Sequence, residues 1–458
     1  MKRLSTLFIF LLPLYIFSQS IVGSWKGDLD VMGNKLPLIF HIEKEADNYR
    51  SKFDSPMQGA HGILLQKTTV ENGEIIFDAS NLGIVYKAKI LPEKIDGTFS
   101  QGGMDFPLIL TKTTVETAKL NRPQTPKKPF NYDNEEVTFK NETEGNLLAG
   151  TLTAPKNFSK KSPILVMITG SGAQNRDEEL FEHKPFLVIA DDFSKKGIAT
   201  LRLDDRGIGG SESGKDSATS ADFAGDISSA VNFLIKRGYT NIGLIGHSEG
   251  GMIAPMVANS NKNVKYLILM AGPGIPIKDL LVKQNYDVAK AYGSSEEALK
   301  ITESLNRNFY NYVVNYNGNN LENDLSKKLR DALNKLPQGI SDKTIDEQVK
   351  HQIEQITNPW FYYFIKFNPD KYLSKVKIPV LAINGSLDLQ VSAKENLAGI
   401  KKSLLKAGNK SFETIEFEEL NHLFQTAKTG SPAEYAQIEE TIAPQVLDKM
   451  SDWILKLK

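Results

Sequence analysis

Residues 241–256, NIGLIGHSEGGMIAPM, constrain this chain more than any other stretch. The apolar run 241–245 is long enough for one buried strand, and Met252, Ile253, Met256 and Val257 then recur at helical spacing. Between them stands Gly246-His247-Ser248-Glu249-Gly250, a G-x-S-x-G pattern. Strand, sharp turn and helix form the context in which that pattern presents a serine hydroxyl for attack. The glycines are needed because a Cβ at either position of so tight a turn would meet the neighbouring element. The helix that follows points its first backbone N–H groups at the serine, which favours negative charge developing there. The five residues alone also fit an ordinary serine in a glycine-rich turn. The strand before and the helix after make Ser248 the candidate nucleophile.

A chain of 458 residues suits two or three domains. Acidic and basic residues balance at 55 each with no long basic run, which argues against a nucleic-acid partner. The absence of cysteine excludes disulfide frameworks, thiolate metal sites and cysteine nucleophiles. Residues 1–20 read as an export signal. Lys2 and Arg3 supply the positive start, 4–17 an apolar core too short for a comfortable membrane span, and Ser18 and Ser20 the small residues before cleavage. A secreted or periplasmic protein with no integral membrane segment after signal removal is the expectation.

Residues 21–114 read as an all-β module. Short runs rich in Ile, Val, Phe and Thr are separated by turn signals such as Glu71-Asn72-Gly73. Its opening, Gly23-Ser24-Trp25-Lys26-Gly27, resembles the first strand of small lipocalin-like barrels. No acid, base and nucleophile set stands out in it, so it is expected to pack, or to bind a polymer or a partner. Residues 115–133, with Pro123, Pro126 and Pro129 among Lys, Thr and Asn, read as a linker. From 134 the period changes. A hairpin (136–140 and 146–154) precedes strands at 164–169, 199–203, 241–245 and 264–270, with helices at 186–195 and 223–235 between them. The alternation implies an α/β domain with a mostly parallel, doubly wound sheet, whose site lies beyond the carboxyl ends of the strands. Residues 277–372 are largely helical and read as an inserted cap. Strands resume at 379–384 and 414–417, and an amphipathic helix at 438–457 closes the chain.

A serine nucleophile needs a base, and the base an orienting acid. Of six histidines, His41 and His61 lie in the β module, His183 in a polar loop and His351 in a cap helix, while His247 is turned away from its neighbour Ser248. His422 remains, in a loop just past the last strand. The acid should also follow a strand, and Asp388 is the first carboxylate after 379–384, with Gly385 permitting the turn. Ordinary turn chemistry is the alternative for Asp388, and a surface loop for His422. The acidic run Asp177-Glu178-Glu179 lacks partners at metal-ligand spacing and reads as a solvated loop, so no metal and no cofactor are expected.

The chain order Ser248, Asp388, His422 is that of α/β-hydrolases. Residues 134–458 resemble that superfamily, and more narrowly secreted bacterial serine esterases with an N-terminal β module. The resemblance is carried by Gly170-Ser171-Gly172 with Asn175-Arg176-Asp177, by 204–211 (DDRGIGGS), by 246–251, by 385–391 and by Asn421-His422. It implies an oxyanion hole made by the backbone N–H of Glu249 and that of Ser171, with Gly172 the second choice. It also implies that 204–211 is structural. The expected activity is hydrolysis of carboxylic esters of short to medium acyl chains through an acyl-enzyme, with a small-molecule ester as substrate. A serine peptidase acting on short peptides and a binding protein on an inactive hydrolase scaffold are the alternatives. The aromatic run 360–364 either lines an acyl pocket or packs the cap.

Overall fold

The computed structural model describes residues 21–457 except 32–33, 46–47, 56–59, 80–82, 102–103, 115–120 and 334–341. The expected signal, 1–20, lies outside them. The chain divides into two compact units near residue 117.

The first unit is a β-barrel of β1 (Gly23–Val31), β2 (Asn34–Glu45), β3 (Asn48–Ser55), β4 (Ala60–Leu64), β5 (Lys67–Glu71), β6 (Glu74–Ala79), β7 (Ile84–Ile90), β8 (Lys94–Gln101) and β9 (Met104–Thr113). The order β2-β1-β9-β8-β7-β6-β5-β3-β4 closes through an additional β2–β3 pairing. Closure removes the exposed edges that an open sheet of this length would carry. Alternate residues of each strand point inward, so Trp25, Leu38, Phe40, Phe77, Tyr86 and Phe99 fill the interior. Phe40 stacks on Phe77 at 4.7 Å. The buried Tyr86 hydroxyl donates to the carbonyls of Ile95 and Leu108, which removes the cost of an orphaned polar group. Across β1–β3, His41 joins Ser24 Oγ (2.8 Å) to Asp54 Oδ2 (2.9 Å).

The second unit carries an eight-stranded sheet. Its strands are β10 (Tyr132–Lys140), β11 (Leu147–Pro155), β12 (Ile164–Ile168), β13 (Ala199–Leu203), β14 (Ile242–His247), β15 (Val264–Met270), β16 (Val380–Gly385) and β17 (Phe412–Phe417), in the order β10-β11-β13-β12-β14-β15-β16-β17. The β10–β11 hairpin and its β13 partner run antiparallel; the rest is parallel. Central strands such as β12, β13 and β14 are buried along their whole length, as expected of a sheet covered on both faces. One face packs on α2 (Ser220–Lys236), α3 (Glu249–Ser260) and α10 (Ala393–Lys406), the other on α1 (Pro185–Lys195) and α11 (Pro444–Lys456). Between β15 and β16 the chain leaves the sheet for six helices: α4 (Ile277–Ala291), α5 (Glu296–Val314), α6 (Leu321–Leu333), α7 (Asp342–Thr357), α8 (Pro359–Ile365) and α9 (Asp370–Leu373). The cap has its own apolar core of Val313, Leu325, Ile345, Val349, Ile353, Ile356 and Ile365. Among the described residues no helix is long and apolar enough to cross a membrane.

Three local readings change. Of the stretch read as a linker, 115–120 lie outside the described residues, but 121–124 are pinned to the second unit. Arg122 donates to the carbonyls of Phe181, Ala436 and Ile438, and Gln124 to that of Ile442. The last helix begins at Pro444 and not at 438, because the N–H groups of Thr441 and Ile442 are taken by Gln124 Oε1. Helix α2 starts earlier than apolar spacing suggests, at Ser220, where Thr219 and Asp222 form a capping box.

Candidate active site

Strand β14 ends at His247 and α3 begins at Glu249, so Ser248 is the whole of the turn between them. Its backbone takes φ 53° and ψ −117°, a region that disfavours any side chain with a Cβ. The packing leaves it no choice. A Cβ on Gly246 would run into the Gly250 carbonyl, and one on Gly250 into the carbonyls of Ile168 and Thr169. Ser248 N–H donates to the Met270 carbonyl (2.8 Å), which ties the elbow to β15.

Asp388 and His422 come from the loops after β16 and β17. His422 Nδ1 lies 2.8 Å from Asp388 Oδ2, and both residues are buried. Asp388 Oδ1 accepts from the N–H groups of Gln390 and Val391, each at 2.8 Å, so its orientation is fixed from the far side. The two loops are also joined by Leu387 N–H donating to the Leu420 carbonyl (2.9 Å). Gly385 is required there, since a Cβ would strike that same carbonyl.

His247 is turned away from Ser248, as its place in the elbow demands, but it is not idle. Its Nδ1 is 3.0 Å from Glu178 Oε1 and its Nε2 is 3.0 Å from the carbonyl of His422. Both ring nitrogens face oxygen atoms that can accept, which favours the doubly protonated ring. Burial opposes that charge, but the Glu178 carboxylate outweighs it and raises the His247 pKa. The His247 ring lies 4.8 Å from the His422 ring, tilted to it by 42°, and its contact with the His422 carbonyl braces that loop's backbone. Glu178 Oε1 also accepts the Gly170 N–H (2.7 Å). That removes Gly170 from the set of oxyanion donors and anchors the loop carrying Ser171 and Gly172. The acidic run is therefore not a solvated loop: Glu178 is buried at the site, and Asp177 is paired with the buried Arg202. His183, read in a polar loop, is buried as well. It is buried against Thr441 Oγ1 (2.8 Å) and the Tyr435 carbonyl, and burial, with Arg122 nearby, lowers its pKa to about 4. The side chains of His61 and His351 lie outside the described set.

The 204–211 loop braces the same floor. Asp204 holds Arg176 (2.6 Å) and the Gly210 N–H, and Asp205 accepts from Thr169 Oγ1 (2.8 Å) and the Gln174 N–H (2.9 Å). Burial pushes the Asp205 carboxyl up to about 7. The Glu249 side chain also contributes. Its buried Oε1 accepts from Ser220 Oγ (2.5 Å) and from Trp360 Nε1 of the cap (3.0 Å). Burial raises its pKa against hydrogen bonds from Ser220, Trp360 and Ser171.

A cavity of about 310 Å3 opens beside Gly170, Gly172 and Glu249. Met167, Leu203, Phe223, Ile227 and Ile253 supply its apolar wall, and Trp360 and Asn358 close it from the cap. The aromatic run divides accordingly: Trp360 faces the cavity, while Phe364 packs with Met252 and Met256 beneath the cap. Among the described residues no group of three or more His, Asp or Glu side chains is placed to hold a metal ion.

Residues 183–426 match the Hydrolase_4 family, described as serine aminopeptidase, S33. Esterase EstD of Thermotoga maritima is 24% identical over 332 residues, covering 72% of this chain and 69% of that protein. Among solved structures, hypothetical protein PA2218 of Pseudomonas aeruginosa (16% identity, 75% of this chain, 99% of that chain) has a TM-score of 0.45. Est1E of Butyrivibrio proteoclasticus with ferulic acid bound (16%, 70% and 98%) has a TM-score of 0.40.

Proposed function

This chain belongs to the Hydrolase_4 family and is a carboxylic ester hydrolase on the α/β-hydrolase fold, and from that premise we propose that it works through Ser248, His422 and Asp388 on short to medium acyl esters. The observation that carries this reading is the buried Asp388–His422 hydrogen bond at the strand ends that also bear the Ser248 elbow. Ser248 Oγ attacks the acyl carbon while His422 Nε2 takes its proton. Asp388 keeps the Nδ1 proton on its own side of the ring, so Nε2 is free to accept. The oxyanion is received by the N–H groups of Glu249 and Ser171, each worth roughly 3–4 kcal/mol in the transition state. His422 then protonates the departing alcohol, and a water activated by the same Nε2 releases the acid.

The apolar cavity of about 310 Å3 supports short to medium acyl groups, since its walls are the sheet floor and a fixed Trp360. Each methylene buried there contributes about 0.8 kcal/mol, so selectivity is graded. The export reading extends the proposal to a secreted or periplasmic enzyme, which N-terminal sequencing of the mature protein tests. The deciding experiment is labelling by a fluorophosphonate probe. It should mark Ser248 alone and fail in folded His422→Ala; labelling that survives that change removes His422 from the mechanism. A peptidase reading is favoured by the family's description, and aminoacyl p-nitroanilides cleaved faster than p-nitrophenyl esters would establish it.

A further inference from the structure

His422 sits in a loop that closes on itself, and two amide side chains make the closure. Asn421 Oδ1 accepts the N–H groups of Leu423 and Gln425, each at 3.0 Å, which turns its Nδ2 toward Gln425 Oε1 at 2.9 Å. The backbone closes the same ring. Asn421 N–H donates to the Gln425 carbonyl and Phe424 N–H to the Asn421 carbonyl, both at 3.0 Å. Phe424 is held at φ 62°, where a residue with a Cβ seldom stays unless its surroundings fix it.

Gln425 also ties the ring to the chain behind it. Its Nε2 donates to the Glu440 carbonyl (3.0 Å) and lies 2.9 Å from His183 Nε2, while the Phe424 carbonyl accepts the Ala443 N–H (2.8 Å). Asn421 and Gln425 have no exposed surface. Two amides are expensive to bury, and an apolar pair of the same shape could fill the space as well. What the amides add is direction. With Asn421 Oδ1 and Gln425 Oε1 both committed, the residues between them are confined to one arrangement. Neither side chain is among those that line the site cavity.

We infer that Gln425 is a positioning residue for the reaction, acting with Asn421 to hold the His422 backbone while Asp388 holds its ring. The inference rests on the reading of His422 as the base. His422 is then fixed from three sides. Asp388 Oδ2 meets its Nδ1 (2.8 Å), His247 Nε2 meets its carbonyl (3.0 Å), and the two amides close the chain on either side of it. Each proton that His422 moves passes through Nε2, from Ser248 Oγ on attack and then to the alcohol oxygen as the C–O bond breaks. A base displaced by about 1 Å loses up to about 100-fold in rate.

The test varies how much the reaction needs that proton. kcat/KM is measured on p-nitrophenyl, phenyl and ethyl acetate for wild type and for Gln425→Met, which keeps the length of the side chain but not its amide. Active sites are titrated with the fluorophosphonate probe, so that unfolded protein is not counted. Nitrophenolate leaves without a proton and ethoxide does not. The loss should therefore grow from about tenfold on the p-nitrophenyl ester to about 100-fold on the ethyl ester. A purely structural role would lower all three equally. Should Gln425→Met not fold, Asn421→Ser keeps a hydroxyl that accepts a turn N–H but cannot bridge to Gln425, and the same graded loss is expected of it. A folded variant with no loss, or with one equal loss on all three esters, overturns the inference. Probe labelling separates that failure from failure of the base assignment: labelling lost in His422→Ala keeps His422 as the base even where the role of Gln425 falls.

Discussion

Replacing Asp388 by asparagine should leave the molecule folded and lower kcat/KM by about four orders of magnitude. The size follows from which atoms face Asp388. One carboxylate oxygen accepts two backbone N–H groups, from Gln390 and Val391, at 2.8 Å each. An amide nitrogen turned that way would set donors against donors, so the asparagine keeps its carbonyl oxygen toward the two N–H groups. The new NH2 then faces His422 Nδ1, where the aspartate oxygen lay at 2.8 Å. The imidazole answers with its Nδ1 lone pair and moves its proton to Nε2. That tautomer cannot accept the Ser248 proton. A loss of about 10⁴ corresponds to about 5.5 kcal/mol of transition-state stabilisation. The assay is p-nitrophenyl acetate hydrolysis beside a thermal melt. A folded Asp388→Asn that keeps more than about a tenth of wild-type kcat/KM would refute the assignment of Asp388 as the orienting acid.

Trp360→Phe removes the indole donor to Glu249 but keeps an aromatic ring; KM for bulky esters should rise several-fold, with kcat on p-nitrophenyl acetate nearly unchanged, and an equal loss in both would show that Trp360 serves the reacting centre itself. Gly250→Ala should fail to fold or melt far below wild type, because its Cβ would meet the carbonyls of Ile168 and Thr169; a normal melt would mean the elbow is less confined than described. The raised His247 pKa means that the folded state holds a proton the unfolded chain has lost above about pH 6.5. The stability from this group is full below that pH and falls as pH rises through the folded value, so the melting advantage of wild type over His247→Gln should shrink toward alkaline pH; an advantage that grows would reverse the sign. A chain starting at residue 121 should melt at least a few degrees above one starting at 132, since the second lacks Arg122 and Gln124; equal melts would make their contacts unimportant.

The periodic parts of this protein were legible in its sequence. Eight short apolar runs correspond to the eight strands of the second unit, and the break in alternation after β15 marks the cap. Ser248, Asp388 and His422 could be singled out because each follows a strand, and in a parallel sheet the carboxyl ends of the strands converge. The β module was legible as short strands between turns, but the pairing of its first strand with its last, β1 on β9, was not, since register between strands distant in sequence leaves no local mark.

The support around the site belongs to the tertiary structure. Glu178 stands in a polar run whose composition predicts a solvated loop, yet it is buried because His247, 69 residues on, and the Gly170 N–H converge on one of its oxygens. Trp360 and Glu249 meet across 111 residues, a contact that neither helical spacing nor composition encodes. Residues 441–442 sit outside the last helix because Gln124, 317 residues earlier, takes the first of their N–H groups. Local pattern determines which elements form, since propensity and periodicity act over a few residues. Which polar groups are paired, and so which side chains can be buried with charge, is decided only when distant segments close on one another and exclude water.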